Sequence, residues 1–202
     1  MTILLATRNR HKVRELDRLL KGSRLRFLTL DRFPDLPPVH ENGATFRANA
    51  VRKAVQTSRR TILPVLAEDS GLEVRALDGK PGVRSARYAG SAQQDEANLA
   101  KLLKEMREIP PSRRQARFVC VMALAIGGRL IAAFEGRCTG SIALEPAGRT
   151  GFGYDPVFIP RGYSKTMAQL GSVRKDSLSH RAQAAARFAR WVKRGRREYP
   201  AG

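Results

Sequence analysis

The chain of 202 residues holds only two cysteines, Cys120 and Cys138, both in apolar, strand-like stretches and neither at metal-ligand spacing. That argues against a cysteine metal cage and predicts reduced thiols in or near the core, in a reducing compartment. Aromatic residues make up 6% of the chain and do not interleave with basic ones, so no stacking platform for single-stranded nucleic acid is present. No DNA-reading motif is present either. Long apolar runs are missing: the stretch from Met1 to Ala6 stops at Arg8, too short for a signal segment or a membrane span, so a cytoplasmic protein without a membrane partner is expected. Acidic residues are few, 18 against 38 Lys and Arg. The resulting net charge of +20 makes a field that attracts anions, with polyphosphates and nucleic acids both candidates. A hydrophobic content of 42% is ordinary for a globular fold of this length, either one sizeable domain or two small lobes.

The chain is organised around Leu63 to Val74, where an apolar run delivers Glu68 and Asp69, then Ser70-Gly71, to one point. Neighbouring strand residues face opposite ways, so two adjacent carboxylates are expected at a strand end, over a site, with Ser-Gly as a turn.

Upstream, Thr2 to Ala6 reads as a buried strand and Val13, Leu16, Leu19 and Leu20 take helical spacing. Between them lies Thr7-Arg8-Asn9-Arg10-His11-Lys12, without the glycines of a P-loop. Asn9 is the predicted N-cap, and the helix start beside Lys12 suits a phosphate. Leu25 to Leu28 predicts a short strand, followed by a connection through Pro34, Pro37 and Pro38. Glu41 precedes a helix that carries Phe46, Asn49, Ala50, Lys53 and Ala54 on one face. Lys53 there either snorkels at the edge of the stripe or lines an anion site with Glu41.

Downstream, Ser91 is the expected cap of a helix with Leu99, Leu102, Leu103 and Met106 inward, ending before Pro110. Phe118 to Ile126 and Leu130 to Phe134 read as a hairpin through Gly127-Gly128. In Gly151 to Phe158 an aromatic of the turn, Phe152 or Tyr154, either stacks on a flat ring or plugs the core. Ser179 precedes a helix with His180 and Arg181 in its first turn; cations oppose the helix dipole there, which points to a bound anion.

These stretches together resemble the inosine and xanthosine triphosphate pyrophosphatases of the Ham1 type. The resemblance runs from Thr7 to Arg181 through Thr-x-Asn-x-x-Lys at Thr7, Glu-x-Gly-x-Thr-Phe-x-x-Asn-Ala at Glu41, Asp-Ser-Gly-Leu at Asp69, Ser-Ala-Arg-Tyr at Ser85, Phe-Gly-Tyr-Asp-Pro at Phe152 and Ser-His-Arg at Ser179. Two positions depart: the family often has Asp where Glu68 stands, and an acid where Arg174 precedes Lys175.

The resemblance implies an α/β fold over residues 1–202, an elongated mixed sheet flanked by helices in two lobes with a central active-site cleft, in a homodimer. It implies Mg²⁺-dependent hydrolysis of nonstandard purine nucleoside triphosphates to monophosphate and pyrophosphate. By analogy Asp69 is the catalytic base, and Glu41, Asp69 and Glu68 hold the metal. Thr7, Arg8, Asn9, Arg10, His11, Lys12, Lys53 and Ser70 would bind phosphate. The base would fall to Phe152, Gly153, Tyr154, Asp155, Lys175, His180 and Arg181. Two alternatives stand beside this reading. One is a Maf-like nucleotide pyrophosphatase acting on other bases. The other is a basic nucleic-acid-binding protein, urged by Arg187, Arg190, Lys193, Arg194, Arg196 and Arg197, whose binding would be nonspecific.

Overall fold

The computed structural model describes residues 1–23, 25–90 and 94–198, with the side chains of 196–198 left aside. Arg196 and Arg197 of the basic cluster, and Ser91 as a helix cap, therefore lie outside the described residues or side chains.

Six strands form one mixed sheet in the order β2-β1-β3-β4-β5-β6. The strands are β1 (Thr2–Leu5), β2 (Arg26–Thr29), β3 (Val65–Val74), β4 (Gln115–Ile126), β5 (Arg129–Ile142) and β6 (Phe158–Pro160). β1 runs parallel to β2 and β3, with Leu4 opposite Val65 and Leu5 opposite Leu66, while β6 is antiparallel to β5. The helices are α1 (Arg10–Leu19), α2 (Phe46–Ser58), α3 (Asp95–Glu105), α4 (Met167–Leu178) and α5 (His180–Glu198). No described helix is long and apolar enough to cross a membrane.

The chain divides into two compact units, the first being Met1–Asp69, Cys120–Gly136 and Arg181–Gly202, the second Ser70–Val119 and Arg137–His180. In the first unit the inward stripes of α1 and α5, with Leu16, Leu20, Phe188 and Val192, pack with Ile3, Leu66 and Met122 of the sheet. Spacing of these apolar residues at three and four along each helix makes that face continuous. In the second unit Leu102 of α3 and Met106 at its C-cap are fully buried, in one core with Leu72, Phe118 and Phe158. Both cysteines are buried free thiols.

Three local expectations need revision. The hairpin is longer than its apolar core, since β5 runs on through alternating positions to Ile142. The cap residue of α3 is Gln94, with Asp95 and Glu96 in the first turn, where negative charge suits the dipole. Above all, β3 does not turn at Ser70-Gly71 but continues as one strand of ten residues. Gly71 is required there by close approach rather than by a turn. A Cβ on it would lie 2.8 Å from the Gly82 carbonyl oxygen and would collide with the Ser85 hydroxyl. Ser85 Oγ accepts from Leu72 N at 2.9 Å and donates to the Gly82 carbonyl at 2.6 Å, tying the segment after Pro81 to the strand. Gly71→Ala is therefore expected to lower stability by about 1–3 kcal/mol, the usual effect of overpacking. A denaturant midpoint equal to that of the parent would show that the segment can shift aside.

The end of α3 depends on a residue whose role the sequence gives no hint of. Arg114, 2% exposed, donates to the carbonyls of Met106, Ile109, Ile142 and Ala143 at 2.7–3.0 Å. A guanidinium supplies five N–H donors in a fixed plane, so one side chain satisfies the helix end and the end of β5 together.

Candidate active site

Glu68 and Asp69 lie within β3, and both are buried. Adjacent strand positions face opposite ways, so each carboxylate needs its own set of partners. Both have one.

Arg181 holds Glu68 by a two-pronged pair, Nε to Oε2 at 2.8 Å and Nη2 to Oε1 at 2.9 Å, and its Nη1 donates to Glu15 Oε2 at 2.5 Å. Lys12 Nζ lies 3.1 Å from Glu68 Oε1, and the Cys120 thiol donates to Glu68 Oε2 at 3.7 Å. Two carboxylates thus face two cations. Burial alone would raise the Glu68 carboxyl, but Arg181 and Lys12 outweigh it and hold the group well below the usual carboxylate range. Burial would likewise lower the Lys12 ammonium, yet Glu68 turns the shift upward. Burial, with the Glu68 charge adding to it, pushes the Cys120 thiol up, so it remains protonated.

This network changes three expectations. The anion signalled by cations in the first turn of α5 is supplied by the protein itself, as Glu68 and Glu15. Arg181, expected as a donor to a base, is engaged with those two carboxylates. Glu68, expected as a metal ligand, has both oxygens engaged by cations. Among the described residues no group of three His, Cys, Asp or Glu is placed to hold a metal ion, and Glu41 and Asp69 both stand beside Lys53.

Asp69 is served by α2. Thr45 caps that helix by accepting from Ala48 N at 3.1 Å, and Asn49 and Lys53, four residues apart, then share one face. Asn49 Nδ2 donates to Asp69 Oδ2 at 2.9 Å, and Asn49 Oδ1 accepts from Gly43 N at 2.7 Å. The two bonds fix which end of the amide faces the carboxylate. A Cβ at Gly43 would lie 2.6 Å from Asn49 Oδ1, so the glycine two residues after Glu41 is what allows this approach. Lys53 Nζ stands 3.1 Å from Glu41 Oε2 and 3.6 Å from Asp69 Oδ1. Lys53 is thus no surface snorkel; its ammonium stands between two carboxylates of the protein. Burial raises the Asp69 carboxyl against the pull of Lys53 and Lys12, and the like charge of Glu41 adds to the rise. For Glu41 burial also acts upward, but Lys53 and Lys12 prevail and its pKa is lowered. Two neighbouring carboxylates are thus driven apart in acidity.

The turn before α1 forms as expected. Asn9 Oδ1 accepts from the N–H groups of His11 and Lys12 at 2.9 and 3.2 Å, and Thr7 Oγ1 accepts from Asn9 N at 3.2 Å. Arg8 donates to the Leu36 carbonyl at 3.2 Å, while Arg10 and His11 are exposed. Ser70 is half-buried in β3.

Of the residues expected around a base, all but Arg181 lie in the second unit, and direct contacts join Phe152, Asp155 and Lys175. Asp155 accepts from Phe152 N at 2.9 Å and from Lys175 Nζ at 2.5 Å, and that ammonium lies 4.6 Å from the centre of the Phe152 ring. Gly153 N donates to Asp95 Oδ2 at 2.7 Å. Tyr154 plugs the core rather than offering a stacking face: it is 4% exposed and its hydroxyl donates to the Ser85 carbonyl at 2.9 Å. His180 is buried and stacks on Phe118 with the ring centres 4.7 Å apart and the planes 9° from parallel.

Sequence reasoning missed Glu15 and Asp95, and left Asn49 on its stripe without a role. Glu15 had a signal: a carboxylate beside Leu16 on the inward side of a mostly basic helix needs a buried cation. Asp95 gave none, because an acid in a first helical turn is explained by the dipole alone.

The sequence matches the Ham1 family over residues 3–191. It is 50% identical over 182 residues to a dITP/XTP pyrophosphatase of Geobacillus kaustophilus, covering 90% of this chain and 89% of the relative. Two solved structures share the fold. A Ham1 protein of Coxiella burnetii superposes with a TM-score of 0.87 at 36% identity, over 96% of this chain and 99% of that one. A nucleoside-triphosphatase/dITP/XTP pyrophosphatase of Mycobacterium abscessus gives 0.77 at 45% identity, over 93% and 98%.

Proposed function

Because the chain belongs to the Ham1 family, we propose that it removes nonstandard purine nucleotides, hydrolysing ITP, dITP and XTP to the monophosphate and pyrophosphate. The observation that carries the mechanism is the environment of Asp69: a buried carboxylate of raised pKa, oriented by Asn49 and 3.6 Å from an ammonium that also holds Glu41.

Asp69 takes a proton from a water as its oxygen bonds to the α-phosphorus, and the bridging bond to the β-phosphate breaks to release pyrophosphate. Asn49 holds the carboxylate in place for that transfer. Lys12 and Lys53, with the turn from Thr7 to His11 and Ser70, hold the phosphates, and the two ammonium groups stabilise charge as it moves to the leaving group. The donor set fits a hard divalent cation, which takes one or two carboxylates with substrate phosphates. Glu41 and Asp69 would hold Mg²⁺, which when bound offsets negative charge on the phosphates. Glu68 and Arg181 act at one remove, fixing Lys12.

Recognition of the base falls to Phe152, Gly153, Asp155, Lys175 and His180. A 6-oxo purine offers an acceptor where adenine offers an amine donor, which suits Lys175 and His180. Asp155 orients Lys175 and fixes the turn through Phe152 N. Lys175→Met and His180→Ala are each expected to lower the preference for ITP over ATP by roughly 1–3 kcal/mol, about fivefold to 150-fold in the ratio of kcat/KM values. Unchanged ratios would remove both residues from recognition.

Pyrophosphate release from a panel of nucleotides tests the reading as a whole. Preference for ITP, dITP and XTP supports it; preference for other bases would favour the Maf-like alternative. The family resemblance also supports a cytoplasmic location and a homodimer, the second of which light scattering of the purified chain would check.

A further inference from the structure

The net charge of +20 is far more than a triphosphate site needs, and its distribution gives it a further use. In the first unit the Glu15–Arg181 pair at 2.5 Å ties α1 to α5, and Leu16, Leu20, Phe188 and Val192 belong to one core. Their inward faces are consumed by that packing. On α5 the exposed residues include Arg187, Arg190, Lys193 and Arg194, and no acid occurs from His180 to Arg197. On α1, Arg14 and Arg18 are exposed four residues apart, with one exposed acid, Asp17, between them.

We propose that the outward faces of α1 and α5 dock on double-stranded nucleic acid, gripping its phosphates without reading sequence. Arg187 to Arg194 spans about 10 Å at 1.5 Å per residue, a length that meets about three phosphates of one strand at 3.4 Å rise. Charge complementarity is the basis of the choice, and two features set other polyanions aside. An anionic membrane binds an amphipathic helix by taking up its apolar face, but here Ala184, Ala185, Phe188 and Val192 are in the core. Single strands need successive aromatic platforms; α5 exposes only Trp191, which is held edge-on to Phe134 at 5.8 Å.

The test is fluorescence anisotropy of the full chain with a labelled duplex of mixed sequence across about 50 to 200 mM salt. Binding should weaken steeply, with a log–log slope of about −0.9 for each phosphate neutralised. The variant Arg187→Gln/Arg190→Gln/Lys193→Gln/Arg194→Gln should flatten that slope by about 2 to 4 while pyrophosphatase activity stays at the parent level. A control, Lys80→Gln/Lys104→Gln/Arg107→Gln/Arg113→Gln, removes the same charge from exposed positions of the second unit and should leave the slope unchanged. Equal flattening by both variants, tighter binding to vesicles containing anionic lipid than to duplex, salt-resistant selectivity for one sequence, or no binding at the lowest salt would each overturn the proposal. Because the readout is binding of duplex, its failure leaves the pyrophosphatase reading untouched.

Discussion

Asp69→Asn is expected to lose about 10²- to 10⁴-fold in kcat and still fold and bind nucleotide. The amide has nearly the shape of the carboxylate and can still accept from Asn49 Nδ2, whose donor end is fixed by the bond from Gly43 N to its oxygen. What the substitution removes is the basic oxygen and the charge. Stability should not suffer. Burial pushes the folded-state pKa of Asp69 up, so at neutral pH its ionised form is disfavoured by folding, and a neutral isostere relieves that. The expected result is a parent-like or slightly higher denaturation midpoint beside a collapsed rate, the trade-off that strained functional groups produce. Rates at saturating divalent ion measure the chemical loss apart from weakened metal binding. Hydrolysis in ¹⁸O-labelled water locates the attack: label in the monophosphate means the α-phosphorus, label in pyrophosphate the β-phosphorus. Label in pyrophosphate, or near-normal turnover by the variant, would show that Asp69 is not the base for this reaction.

The residues that sequence reasoning placed well are those whose signals are local. Asn9 caps α1 because a short amide before a helical stripe has few other uses, and the i, i+4 spacing of Asn49 and Lys53 puts both on the face that meets Asp69. The errors share a cause, which is that a charge inside an apolar run reads as the end of that run. Two adjacent carboxylates predict a strand end at Glu68 and Asp69, yet β3 continues because each meets its partners in place. Those partners are far away in the chain: Arg181 lies 113 residues from Glu68, and 166 from Glu15. No window of sequence contains that pairing. The same limit hid the role of Gly71, whose glycine is dictated by Ser85 and Gly82 across the fold and not by a turn. Tyr154 could equally have faced a ligand or the core, and only its bond to the Ser85 carbonyl decides for the core.

The buried network around Arg181 should be the most sensitive part of the fold to substitution. Arg181→Met keeps most of the side-chain volume but takes the two-pronged guanidinium from Glu68 and a cation from Glu15, all within the interior. Breaking a buried ion pair from one side typically destabilises by about 3–5 kcal/mol, measurable as a shift of the urea midpoint. Glu68→Gln should do the same from the other side. The double variant should lose less than the sum of the two, since the coupling between direct partners is counted once. pH provides an independent check of the same network. The Glu68 carboxyl is held well below its ordinary value, so its contribution to stability is complete above the unfolded-state value of about 4.3 and is lost as pH falls through the lower folded-state value. The stability gap between the parent and Glu68→Gln should therefore be flat from neutral pH to about 5 and close below it. Lys12 adds a kinetic consequence: once Glu68 no longer fixes it, phosphate binding should weaken, so Glu68→Gln should raise KM more than it lowers kcat. An Arg181→Met protein within about 1 kcal/mol of the parent, the range of a surface ion pair, would mean that the network neither holds the fold nor positions Lys12.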